Sequence, residues 1–295
     1  MANLIFKGAA SAIVTPMNED FSVNYEKFRE LLEFQIKEGI SALVVCGTTG
    51  ESATLTHEEH IDVIKFAVEV VAGRVPVIAG TGSNDTAFAL ELSLAAQKAG
   101  ADALLMVTPY YNKTSQAGLI AHFTYVADRV DLPIILYNVP SRTGVNIKPE
   151  TYAELAKHKN IVAAKEANGD ISALAKTISL CGPDFAIYSG NDDQIIPFLS
   201  LGGKGVISVL SDVAPKATEE MCQKFFRGDI EGAAKMQIEY LDLINNLFAD
   251  VNPIPVKEAL NIMGFEVGPC RMPLVAPSDA VKEKLTASLK AVGLL

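Results

Sequence analysis

Residues 161–170 read IVAAKEANGD. Ile161 to Ala164 is a short apolar run of the kind a buried strand carries, and Asn168-Gly169-Asp170 is turn chemistry leading into a new helix. Side chains alternate along a strand, so Ile161, Ala163 and Lys165 are expected on one face and Val162, Ala164 and Glu166 on the other. Lys165 then stands at the C-terminal end of a buried strand among small apolar neighbours. An exposed lysine, with a pKa near ~10.4, is neutral in only about one part in a thousand at pH 7; burial lowers that pKa by destabilising the ammonium. A lysine so depressed is an amine nucleophile able to condense with a carbonyl as a Schiff base. The alternative for Lys165 is a side chain that snorkels to solvent or pairs with Glu166 or Asp170.

Outward from this segment the same strand-then-helix unit recurs. Strands are expected at 9–15, 42–46, 75–79, 103–107, 134–137, 161–165, 185–188 and 206–209, with amphipathic helices at 24–38, 56–72, 84–99, 115–130, 149–158, 171–181 and 193–201. Eight apolar strands separated by helices imply a parallel sheet buried on both faces, and the count favours an α/β fold closed as a (β/α)8 TIM barrel. A doubly wound sheet is the alternative. No GxGxxG opens the first strand-to-helix turn, whereas polar residues end several different strands, which favours the barrel. The GTG at 80–82 is too little to define a nucleotide site. After Val209 only helices follow, near 214–226, 230–248, 255–263 and 278–291, so residues 1–226 are expected to form the barrel and 227–295 a C-terminal helical subdomain.

Of 295 residues, 49% are apolar, enough for a sizeable core. With 35 acidic against 25 basic residues the net charge is −10, and no basic block stands out, which argues against nucleic acid or an anionic membrane as partner. Cys46, Cys181, Cys222 and Cys270 are scattered without a CxxC pair, so neither a zinc site nor a disulfide framework is expected and a reducing cytoplasm fits. MANLIFKG is too weakly patterned for a signal peptide, and no apolar run is long enough for a membrane span.

In a barrel of this kind reactive residues gather just beyond the strands, at one rim. The strand ends here carry Gly47-Thr48-Thr49-Gly50-Glu51, Pro109-Tyr110-Tyr111-Asn112, Tyr137 to Gly144, Lys165, Ser189-Gly190-Asn191 and, within the eighth strand, Ile207. The glycines of GTTGE let backbone N–H groups and two hydroxyls face a small carboxylate, or the segment simply caps the next helix. Tyr137 shares a face with Ile135 and points inward, as a proton shuttle near Lys165 or as a structural phenol. Arg142 is a planar fork for a carboxylate, or one half of a surface salt bridge. His57 and His60, in THEEH, have the spacing of metal ligands but no partner set, so no metal is expected.

GTTGES at 47–52, TPYYN at 108–112, LYNVPSRTG at 136–144, AAKEANGD at 163–170, GVISV at 205–209 and NPIPVKEAL at 252–260 together resemble the dihydrodipicolinate synthase family, and the resemblance runs from end to end. It implies a lysine-dependent aldolase on a (β/α)8 barrel that needs no cofactor. Pyruvate would condense with Lys165, and the derived enamine would attack L-aspartate 4-semialdehyde to give 4-hydroxy-tetrahydrodipicolinate, on the route to diaminopimelate and lysine. Thr48, Tyr137 and Tyr111 match the family's proton relay, with Tyr111 reaching in from a neighbouring subunit of a homotetramer built as a dimer of dimers. Thr49 matches the pyruvate-carboxylate contact, Arg142 the semialdehyde clamp, and Gly190 and Ile207 positions near the imine. Sister aldolases of sugar acids keep the lysine and tyrosine; SRTG at 141–144 favours a short dicarboxylic semialdehyde instead. Ala53, His57, His60, Asn84 and Tyr110 match an allosteric lysine site of regulated members. Phe88 stands where such members carry a carboxylate, so weak or absent lysine inhibition is expected.

Overall fold

The computed structural model describes residues 4–295. Eight strands, β1 (Gly8–Ala12), β2 (Ala42–Val45), β3 (Val77–Gly80), β4 (Ala103–Val107), β5 (Ile134–Asn138), β6 (Ile161–Glu166), β7 (Ala186–Ser189) and β8 (Gly205–Ser208), pair in parallel and in chain order. β8 closes on β1 through Ala10 opposite Ile207, so the sheet is a closed barrel. Helices cover its outside and give every strand two buried faces, which is why the strands read as continuous apolar runs.

Two layers of apolar packing result. The inner one is built from small or inward-facing residues including Ala10, Ala12, Ala42, Ala103, Ile135, Ala163 and Ile207. Phe6 stacks on Tyr188 with ring centroids 4.1 Å apart, and the Tyr188 hydroxyl donates to the Phe6 carbonyl at 2.8 Å, which closes the barrel at the N-terminal end of the strands. The open end is therefore the opposite rim. The outer layer joins residues such as Leu43, Leu104, Leu136 and Val206 to the helices. Several helix starts carry side-chain caps: Thr56 and Glu59 form a reciprocal capping box on His57–Val71, and Asp170 accepts from Ala173 N–H at the start of Ile171–Cys181.

Three departures from the sequence reading have local causes. The β5–β6 register shifts at Ile134/Ile135, so that Ile161 joins the outer layer while Ala163 lies inside; the strict alternation expected from Ile161 holds only from Ala163 onward. The expected helix 230–248 is two helices, Ile230–Glu239 and Leu241–Asn246, meeting at Tyr240. Short helices at Pro140–Thr143 and Leu210–Val213, and a 3-10 turn at Ser52–Thr54, occupy the rim where loops were expected, and the helix expected from 193 opens with a 3-10 turn at Asp192–Gln194.

Beyond β8 the chain runs through helices Pro215–Phe226, Ile230–Glu239, Leu241–Asn246, Ile254–Ile262 and Asp279–Ala291. This segment is tied to the rim by buried polar contacts. Lys257, 1% exposed, donates to Glu51 Oε1 at 2.8 Å and to the carbonyls of Thr15 and Pro269. The other Glu51 oxygen accepts the Arg271 N–H at 2.8 Å, and Arg271 forks onto both oxygens of Glu59. No helix among the described residues is long and apolar enough to cross a membrane.

Candidate active site

Lys165 ends β6 inside the barrel, opposite Tyr137 on β5 and Tyr188 on β7. It is 5% exposed, and its Nζ lies 4.4 Å from the centre of the Tyr137 ring. No carboxylate is within ion-pairing distance of it. Both partners proposed for a structural lysine are engaged elsewhere: Glu166 faces the outer layer, where it accepts from Asn138 Nδ2, the Tyr152 hydroxyl and the Asn168 N–H, and Asp170 caps a helix. Burial pulls the Lys165 pKa down to about 8, with Arg142 adding to the depression and the fields of Asp192 and Asp212 opposing it. Burial likewise pushes the Glu166 carboxyl up to about 7.

The space beside the lysine is kept by glycine. A Cβ on Gly190 would sit 2.7 Å from Ala167 Cβ and 3.2 Å from Lys165 Cε, so a side chain there would push on the lysine stem. Gly80 has a comparable role lower down, since a Cβ would run into the Cys46 backbone; the GTG at 80–82 serves close packing of strands.

Tyr137 points inward from β5 and is buried. Burial raises its pKa, while the Arg142 guanidinium and a hydrogen bond with Thr48 act in the opposite direction. Thr49 is buried and its hydroxyl accepts from Asn252 Nδ2 at 2.9 Å. The carbonyl of the same Asn252 accepts from the Arg142 guanidinium at 3.0 Å. Asn252 thus joins the carboxylate candidate on the loop after β2 to the one after β5. Above them opens a cavity of about 360 Å³, lined by Thr48, Ala53, His60, Phe88, Tyr110 and Arg142, with Asn252 and Leu274 from the C-terminal segment. Together these groups supply an amine, a phenol with a hydroxyl partner, and a cation for a small carbonyl acid.

The model of the Dihydrodipicolinate synthetase family matches residues 5–292. The chain belongs to that family. The 4-hydroxy-tetrahydrodipicolinate synthase of Thermoanaerobacter sp. (strain X514) is 58% identical over 292 residues, 99% of this chain and 98% of that protein. The enzyme of that name from Lachnoclostridium phytofermentans is 57% identical over 292 residues, 99% of each. The crystal structure of dihydrodipicolinate synthase from Thermotoga maritima superposes with a TM-score of 0.97 at 45% identity, over 99% of this chain and 100% of that one.

In this dihydrodipicolinate synthetase family member the residues picked out from sequence fall into three groups. Lys165, Tyr137, Thr48, Thr49, Arg142, Gly190 and Ile207 converge on the open rim and the barrel interior beneath it. Tyr111 does not: it is 90% exposed and adopts a left-handed φ of 68° on the loop after β4. Of the lysine-site set, Ala53, His60 and Tyr110 line the cavity, while Asn84 borders a neighbouring one with Asn112 and Lys113. His60 Nε2 donates to the Gly80 carbonyl at 2.7 Å, and His57 stands against the Phe88 ring with its Nε2 3.2 Å from Glu91, so each histidine has a protein partner. Sequence reading missed Asn252, Lys257, Asp192 and Asp212; only their burial marks them, and burial has no local signature in these stretches.

Proposed function

We propose that this chain is a 4-hydroxy-tetrahydrodipicolinate synthase that condenses pyruvate with L-aspartate 4-semialdehyde through an imine on Lys165. The observation that carries the residue assignment is a lysine buried in the barrel mouth, with no acid in contact and a pKa near 8, beside an inward phenol. The neutral amine adds to the keto carbon of pyruvate, the carbinolamine hydroxyl takes up a proton and leaves as water, and an iminium remains. That cation draws electrons as a methyl proton departs, and the enamine attacks the aldehyde carbon. The substrate's own amine then displaces Lys165 to close the ring.

Tyr137 donates and accepts the protons of imine formation, with Thr48 passing them on. Thr49 holds the pyruvate carboxylate, Gly190 and Ile207 line the imine, and Arg142 clamps the semialdehyde carboxylate. Tyr111, projecting from its own subunit, completes the relay of a neighbour in a homotetramer; its exposure and strained backbone support that reading. The described residues up to 226 form the catalytic barrel, and 227–295 a helical subdomain that braces the rim through Asn252 and Lys257. Free cysteines throughout the described residues suit a cytoplasmic setting. Borohydride reduction in the presence of pyruvate tests the assignment: a pyruvyl mass is expected on the peptide containing Lys165, and an unmodified peptide under turnover conditions would refute it.

A further inference from the structure

Two buried acids, one after β7 and one after β8, lie near enough to Lys165 for their fields to act on it. Asp192, in the 3-10 turn after β7, is 2% exposed, and its Oδ2 accepts the N–H groups of Val209 and Leu210, both at 2.9 Å. Asp212, in the short helix after β8, is 1% exposed, and its Oδ1 accepts the Val14 N–H at 3.0 Å. The remaining oxygen of each, Asp192 Oδ1 and Asp212 Oδ2, is buried without a partner, as is the Ser11 hydroxyl. Two carboxylates so enclosed, with no cation in contact, cannot both remain ionised.

We propose that Asp192 and Asp212 carry one proton and one negative charge between them, and that this charge is the counter-charge to the iminium formed on Lys165. The inference rests on the imine reading above. It follows from the charge balance of the pocket. With Lys165 neutral the three groups sum to one negative charge; with the iminium formed they sum to zero, so the step that creates a buried cation also neutralises a buried anion. Burial raises the Asp192 carboxyl as well, but two backbone donors and Ser208 oppose the rise, so Asp192 holds the charge. Asp212, whose carboxyl is raised well above the usual range by burial and by Asp192, holds the proton next to Ser11. The other groups facing these sites are Arg142 and Tyr137 at Lys165, and the Cys222 thiol, with Glu219 behind it, at Asp192. None is a cation in contact with either acid. Both aspartates are positioning residues acting through Lys165.

Asp192→Asn and Asp212→Asn each keep an oxygen for the backbone N–H groups, so the turns can survive. In each single variant the remaining acid ionises alone and replaces part of the charge, so each loses activity by a small factor. The double variant is expected to lose about tenfold more kcat than the product of the two, to trap pyruvate more slowly with borohydride, and to shift the acid limb of its pH profile downward. A folded double variant with the native limb and trapping rate would overturn the proposal. Infrared spectroscopy of the unaltered protein is a second test that does not depend on the variants folding: at about pH 9, where Glu166 is already ionised, a protonated buried carboxyl is expected and should vanish in Asp212→Asn, and its absence from the native protein would be equally fatal. If the native protein traps no pyruvate, the imine reading itself has failed; if it traps pyruvate and these signatures are missing, only the counter-charge has.

Discussion

Lys165 and Lys257 are both lysines removed from water, 5% and 1% exposed, and the protein treats them in opposite ways. Lys257 is surrounded by acceptors: a carboxylate of Glu51 at 2.8 Å and two backbone carbonyls take its three donors. Lys165 is given none; its neighbours are a tyrosine ring, a glycine and small apolar side chains, and the acids behind it do not touch it. The contrast separates a lysine used as a strut from one whose amine is left without a partner. A satisfied ammonium holds the loop bearing Thr48 and Thr49 to the C-terminal segment, whereas an unsatisfied one gives up its proton within reach of physiological pH.

Lys165→Met should break the comparison most severely. Without the amine no imine forms, and activity is expected to fall by roughly 10⁴ or more, with no pyruvyl mass after borohydride. The same change should stabilise the fold. A lysine ordinarily titrates near 10.5 and Lys165 near 8 in the folded chain, so below pH 8 its buried charge costs about 3 kcal/mol. The unfolded chain binds the proton more tightly, so the cost declines as pH rises from 8 and is gone above about 10.5. Melting curves should show the variant's advantage at pH 7 shrinking across that window; a destabilised variant at neutral pH would sink the idea of an unsatisfied lysine.

Lys257→Met should have the reverse sign. It leaves Glu51 buried and unpaired, at a cost of about 3–5 kcal/mol, and loosens the Thr48–Thr49 loop. Adding Glu51→Gln should recover much of the stability, which denaturant melts of the single and double variants would reveal. Next in size is the pH dependence of the native enzyme. Below about pH 8, kcat/KM for pyruvate should fall tenfold per unit as Lys165 takes up its proton, and a limb near pH 10 would show that burial does not depress it.

The barrel was legible because each strand, being buried on both faces, spells itself as an apolar run, and several helices announce their start with a polar cap such as Asn24, Thr56 or Asp170. Lys165, Tyr137 and Arg142 were legible for a related reason: a polar residue at the end of such a run has few places to go but the rim. Asn252 and Lys257 were not, since NPIPVKEAL reads as the start of an ordinary amphipathic helix, and only the fold reveals that it lies against GTTGE. Asp192 and Asp212 fall between the expected strands and helices and become buried only when the turns after β7 and β8 close over them. The shift at Ile161 was hidden because Ile161 to Ala164 are all apolar, and such a run fits either register.

The weakest effect is expected at the cavity wall. Ala53, His60, Tyr110 and Phe88 surround it, and the resemblance places L-lysine there in regulated enzymes. A low-micromolar inhibitor needs about 8 kcal/mol of binding, and for a small zwitterion much of that must come from its charged ends. Phe88 offers the ammonium a ring face, worth about 0.5–1 kcal/mol at a partly exposed site, in place of a carboxylate. Glu91, the nearby acid, already faces His57. Inhibition by lysine should therefore be absent or require millimolar concentrations, and Phe88→Glu should strengthen it without altering the Lys165 pH limb. A low-micromolar inhibition constant for the native enzyme would show that the aromatic replaces the lost charge, and that the wall around Phe88 recognises lysine by some other contact.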